Sequence, residues 1–449
     1  MKKRLSAAAR LRISAVAAAL AVTAAVFTVV DIGGRAHSTT EGTPVWSVDA
    51  ADVLGREFAV FSSPIGGTQS NMTRGGLVDA GSTVVTLVGM PDRRRGVLDG
   101  AELVGLDAAD GSVRWRSAAA DIAGCSPALL EESVLCMVGE SEYGEGLAIF
   151  DLKSGERKDI RTPWNPIAVV ADQGDILALE GNIEDNDVRV HSGTVDNPEG
   201  NWSKAFDVGG YWESGFSGPL LSVHGDLGVI SLDESLGFDV GTGEQRWRLG
   251  YTSCTSAHTS PDGVTSVSDD GCDGSTPSVY ALDSRGVEIA RETTVGSRNS
   301  GSRYLLDQPS DKSRAIILGS SGFDRTTGKR LWTNEEVFGN ASSLSVIDGV
   351  VAVAGRGSEP VQFVDLATGE VLWQSSAPRV GEVAWNGVPV VDEGMVYGLD
   401  PRTGQRTWEV QVEPDARVEF GGWAMRELWS GENVVVRASE DRLTALRTR

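Results

Sequence analysis

An eleven-residue phrase returns along this chain, and its recurrence limits the fold more than any other feature. It stands at Gly237 to Trp247 (GFDVGTGEQRW), Gly322 to Trp332 (GFDRTTGKRLW), Phe363 to Trp373 (FVDLATGEVLW) and Gly398 to Trp408 (GLDPRTGQRTW). A degraded copy runs from Gly105 to Trp115 (GLDAADGSVRW), another from Ile149 to Asp159 (IFDLKSGERKD) lacks the closing Trp, and one at Ala281 to Ala290 (ALDSRGVEIA) is a residue short. Each copy opens with a short apolar run ending in Asp, turns through a Gly, and climbs into a second run, which predicts a β-hairpin. The carboxylates of Asp107, Asp151, Asp239, Asp324, Asp365 and Asp400 are placed to accept turn amides two or three residues on. Gly243, Gly328, Gly369 and Gly404 supply the positive φ of the turn. Trp115, Trp247, Trp332, Trp373 and Trp408 share one place on the second strand. An indole must bury its faces and find an acceptor for its N–H, so packing against a neighbouring copy is expected there.

The marked Asp residues follow one another at roughly forty-residue intervals, a period that suits four-stranded propeller blades and not a helical solenoid. One gap, from Asp151 to Asp239, is twice as long and predicts a worn copy, with Val188 to His191 as its third strand and Trp202 as its Trp. Ahead of the phrase lie two more apolar runs, as at Ser343 to Ile347 and Val350 to Ala354 across the turn dipeptide Asp348-Gly349. Beyond residue 32 no apolar pattern of period 3.6 is sustained, so an all-β propeller of four-stranded blades is expected over residues 44–449. Eight blades are expected, with seven and nine open. Pro44-Val45-Trp46 resembles the end of the phrase and Arg442 to Leu446 its beginning, so their pairing is expected to close the ring and cover its edges.

Lys2, Lys3, Arg4, Arg10 and Arg12 precede an uncharged stretch of eighteen residues, Ile13 to Val30, long enough to cross a bilayer as a helix. The flanking charge puts residues 1–12 in the cytoplasm, followed by a membrane helix over 13–32 and a tether over 33–43. A cleaved signal peptide is the competing reading, with Gly34-Arg35-Ala36 as its small-x-small site. The absence of Cys near this segment excludes a lipid-modified N-terminus. Cys125, Cys136, Cys254 and Cys272 fall as two local pairs, each across the first two strands of a blade, and predict disulfides Cys125–Cys136 and Cys254–Cys272 in an oxidising compartment. Zinc is the alternative, without a Cys-x-x-Cys spacing to support it. Without the five basic residues of the tail, 35 Lys and Arg stand against 63 Asp and Glu, which disfavours nucleic acid and anionic lipid as partners of the domain.

Outside the phrase the candidates are few. His37, His191, His224 and His258 are scattered along the chain; Ser268 to Ser275 and Glu184 to Asp187 are acidic runs without the spacing of a calcium loop. Arg93-Arg94-Arg95 is expected in a long loop of the first blade, able to dock a partner or to be a solvated tip. Trp164, Trp212, Trp385, Trp423 and Trp429 stand off the repeat position, with ligand contact and blade packing both open to them. No phosphate-binding glycine loop, nucleophile elbow or metalloprotease helix occurs.

The A/G-x-D-x-x-T-G-x-x-x-W phrase resembles the repeat of the quinoprotein-type propellers, and the Ala- and Arg-rich start resembles exported proteins of actinobacteria. The resemblance takes in quinone-dependent dehydrogenases, a non-catalytic outer-membrane-assembly lipoprotein and sensor domains of membrane kinases. Its catalytic members carry a disulfide between adjacent cysteines over the quinone, an Asp base, and Glu, Asn and Asp ligands to Ca²⁺. This chain has no adjacent cysteines. The expectation is therefore an extracytoplasmic binding or scaffold module without cofactor or catalytic residue, partnered by an envelope protein or wall component. A diverged quinoprotein oxidoreductase and a sensory ectodomain working through a membrane partner are the alternatives.

Overall fold

The computed structural model describes residues 40–447, apart from 67–76, 93, 140–144, 182–186, 209–219, 233, 250–254, 261, 270, 272–275, 294–303, 307–314, 340, 356–358, 376–383, 386–387, 393–394, 412–433 and 440. Period-two alternation and punctuating Gly and Asp turns give antiparallel meanders, each a blade. The first blade joins Val60–Ser62, Thr83–Asp92, Val97–Asp107 and Val113–Ala118. The second joins Ile122–Cys125, Ser133–Val138, Gly146–Asp151 and Arg157–Ile160, and the third Pro166–Asp172, Asp175–Gly181, Asp187–Thr194 and Asn197–Asp207. The fourth runs from Leu221–His224 to Gln245–Leu249 and the fifth from Thr255–Thr259 to Glu288–Thr293, each of four strands. The sixth keeps three described strands, Ile316–Leu318, Ser321–Phe323 and Arg330–Thr333. The seventh spans Ser343–Ile347 to Val371–Ser375, and the eighth Ala384–Trp385 to Arg406–Gln411.

The ninth blade joins the two ends of the described chain. Thr40–Asp49 lies antiparallel to Arg442–Arg447, with Trp46 opposite Ala445 and Asp49 opposite Arg442, and Val434–Ala438 completes the sheet. The same strand runs parallel to the eighth blade, Thr40 to Gly42 pairing Trp408 to Val410, so the end of the expected tether is already strand. Among the described residues nine blades are counted, one of the two numbers left open beside the eight expected. The long interval after Asp151 holds a complete blade whose last turn, Val195-Asp196, has lost the Asp-to-Gly pattern. The short interval before Asp400 also holds four strands, because one is reduced to Ala384–Trp385.

The core lies between blades and not at one centre. Leu103 and Trp115 of the first blade meet Ile122 and Phe150 of the second; Leu135 and Leu147 of the second meet Ala178 of the third. Removing apolar sheet faces from water in this way ties these blades to one another. Helix is confined, among the described residues, to Ala50–Leu54, Glu335–Phe338 and a single 3₁₀ turn at Pro64–Gly66. No helix among the described residues is long and apolar enough to cross a membrane; the segment 13–32 lies outside them.

Candidate functional site

The repeated residues build the joints of the ring. Trp46, Trp115, Trp202, Trp332 and Trp373 donate Nε1–H to the carbonyls of Ala108 (3.0 Å), Leu152 (2.7 Å), Val240 (3.0 Å), Leu366 (2.9 Å) and Pro401 (2.8 Å). Each acceptor follows the phrase Asp of the succeeding blade. The indole then covers the turn Gly of that blade: at Gly155, φ +71°, a Cβ would lie 2.6 Å from Trp115 Cε3. Trp202 plays this part for the worn third blade. Where the phrase is a residue short, the joint changes. Trp247 Nε1 is buried without a hydrogen bond among the described residues, and the Ser284 carbonyl accepts instead from Arg246 Nη1 at 3.4 Å.

The phrase Asp residues are equally committed. Asp107 Oδ1 accepts from Ala109 N (2.8 Å), Asp151 Oδ1 from Ser154 N (2.8 Å), Asp239 Oδ1 from Thr242 N (2.8 Å), and Asp324 Oδ1 from Thr327 N (2.7 Å). Asp365 and Asp400 take the amides of Thr368 (3.0 Å) and Thr403 (2.8 Å). Arg246 adds a second partner to Asp239 at 2.6 Å, and Arg402 bridges from the eighth blade to Asp365 at 2.9 Å. Four of these carboxyls sit below the usual carboxylate range: Asp107 through the Ala109 amide and Arg114, Asp239 through Arg246, Asp151 through the Ser154 hydroxyl and Asp324 through the Thr327 hydroxyl. A carboxylate held ionised by such donors is a weak base.

Of the histidines, His37 lies outside the described residues and His191 is buried in the third blade. Its ring stacks on Trp164 with centroids 4.2 Å apart, Nε2 is 3.0 Å from Glu180 and Nδ1 3.5 Å from Glu199. Trp164 thus packs between the second and third blades. His224 and His258 stand on neighbouring inner strands; burial, and then the nearby His258, push the His224 imidazole below its ordinary value. Beside them Asp262 pairs with Arg325 of the sixth blade, both half-buried. Sequence gave no sign of that bridge, because neither residue repeats. Arg94 and Arg95 cap a tight hairpin and not a long loop, since Thr83–Asp92 and Val97–Asp107 continue to its tip.

Cys125 and Cys136 form a disulfide between directly opposed residues of the first two strands of blade two. Cys254 and Cys272, like Trp212, Trp423 and Trp429, lie outside the described residues. The quinone site of the dehydrogenases needs adjacent cysteines, a free carboxylate and a ligand set for Ca²⁺. Here the disulfide partners are eleven residues apart, and no group of three His, Cys, Asp or Glu among the described residues is arranged to hold a metal ion. The described residues do not fit that group.

A family model described as outer membrane protein assembly factor BamB matches residues 233–397 and 321–449. BamB from Moraxella catarrhalis is 13% identical, with 78% of this chain and 91% of that chain covered and a TM-score of 0.37. Quinohemoprotein alcohol dehydrogenase ADHIIG from Pseudomonas putida HK5 is 12% identical over 90% of this chain and 76% of that one, TM-score 0.47. The enzyme from Comamonas testosteroni is 10% identical over 89% and 78%, TM-score 0.43. No curated protein sequence matches the chain.

Proposed function

We propose that this chain, which belongs to the PQQ-type repeat propellers, is a binding or scaffold module of the cell envelope and not a catalyst. On this reading residues 13–32 anchor it in the membrane and the propeller faces the extracytoplasmic side. The observation that carries the proposal is the fate of the repeated side chains. Trp46, Trp115, Trp202, Trp332 and Trp373 give their N–H to a carbonyl of a neighbouring blade, and the phrase Asp carboxylates go to turn amides and arginines. Residues spent on joints make a rigid platform, so recognition falls to features that break the repeat. The disulfide between Cys125 and Cys136 accords with an oxidising compartment.

Crosslinking of the full chain in intact cells, followed by identification of what is captured, tests the reading. A reproducible envelope partner, lost when surface loops are altered, is expected. Capture of nothing, combined with dye reduction by the purified protein on adding quinone and Ca²⁺, would favour the oxidoreductase instead.

A further inference from the structure

The first blade departs from the repeat on the end of the ring opposite the Asp-Gly turns. Its middle hairpin is built from strands of ten and eleven residues, against four to six in the second blade. The tip is preformed: Asp92 Oδ1 accepts the amides of Arg94 (3.0 Å) and Arg95 (3.3 Å), and Gly96 N donates to the Asp92 carbonyl at 2.8 Å. Both guanidinium groups are exposed and make no ion pair among the described residues. In a chain of net charge −23 they contrast with Arg114, Arg157, Arg246 and Arg402, each of which has a carboxylate within 2.9 Å.

Phe58 stands beside an arm of the same hairpin. It precedes the strand Val60–Ser62, in which Val60 opposes Gly89, the residue before Met90-Pro91 of the hairpin arm. Its ring is 70% exposed, the most exposed of the large apolar side chains described, and its φ of +66° is one a bulky residue adopts only under constraint. Arg56, also exposed and without an ion pair among the described residues, reaches along the arm to 3.5 Å from where a Cβ on Gly100 would lie. Burial does not account for an aromatic ring turned outward from a strained backbone beside unpaired arginines. Strain of this kind points to use.

We infer that Phe58, Arg56, Arg94 and Arg95 form a docking surface for an acidic peptide segment of a partner protein that carries one apolar residue. This deepens the binding reading and rests on it. The arginines supply bidentate partners for Glu or Asp, and Phe58 supplies the desolvated anchor around which such contacts gain strength. Asp52, Glu57 and Asp99 flank the surface, exposed, and by repulsion confine the acidic residues of the segment to positions facing the arginines.

The test uses the full chain and a fluorescent dodecapeptide of Glu and Ser with one central Leu, beside its Lys-for-Glu counterpart and vesicles rich in phosphatidylglycerol. Expected are saturable binding of the acidic peptide alone, a loss of about tenfold or more between low and high salt, and a similar loss in R94E/R95E. F58G should weaken binding at least threefold while leaving the melting temperature unchanged or higher, because glycine accepts the positive φ. Absence of peptide binding, equal binding by R94E/R95E or F58G, or binding to vesicles in place of the peptide overturns the inference. If cellular crosslinks persist in R94E/R95E, the scaffold reading survives and this surface does not.

Discussion

Two glycine substitutions separate the cost of a left-handed turn from the cost of a blade joint. Gly225 and Gly155 both have positive φ, +66° and +71°, but a Cβ on Gly225 meets nothing within 4 Å, whereas one on Gly155 lies 2.6 Å from the Trp115 ring. Gly225→Ala should therefore cost only the backbone term, about 1–2 kcal/mol. Gly155→Ala adds overpacking of roughly 1–3 kcal/mol, giving about 2–5 kcal/mol in total. Trp115→Ala removes the obstacle and on its own costs about 3–5 kcal/mol. In that background Gly155→Ala should fall back to the backbone term, a coupling of about 1–3 kcal/mol. Urea unfolding of the full chain, followed by far-ultraviolet circular dichroism, measures all four midpoints. Equal costs for the two glycines, or strict additivity with Trp115→Ala, would refute the joint.

Replacing Cys125 and Cys136 together by Ser opens a loop of eleven residues and should lower stability by about 3 kcal/mol on the chain-entropy estimate, read as a fall in the urea midpoint that reductant reproduces in the parent. Because the turn carboxylates of Asp107, Asp151, Asp239 and Asp324 lie below their ordinary values, their contribution is complete above about pH 4 and is lost as pH falls further. Unfolding midpoints between pH 6 and 2 should drop steeply only at the acid end, and Asp239→Asn should flatten that drop. Deleting residues 1–49 removes the strand that covers Arg442–Arg447 and should produce aggregation in light scattering, whereas deleting 1–39 should leave the propeller's midpoint in place.

The blades were legible because the phrase writes its own turn. Asp, Gly and Trp occupy fixed offsets, and each meets a local need that any copy must meet. The partner of Pro44-Val45-Trp46 was legible for the same reason, being a fragment of that phrase. The blade number was not, because a blade needs only four short strands and leaves no mark where the turn is rewritten, as at Val195-Asp196. Nor was the Asp262–Arg325 bridge, which joins residues of different blades that belong to no pattern. Phe58 was invisible for a third reason: exposure and positive φ are properties of the folded backbone, and a Phe before a strand ordinarily reads as core.

On the proposed reading the recurring indoles and carboxylates hold the ring together and do no redox chemistry. Titrating the purified full chain with pyrroloquinoline quinone and Ca²⁺, while following indole fluorescence and reduction of an electron-accepting dye, tests it most directly. Unchanged fluorescence without turnover is the predicted result. Saturable quenching accompanied by substrate-dependent dye reduction would contradict it.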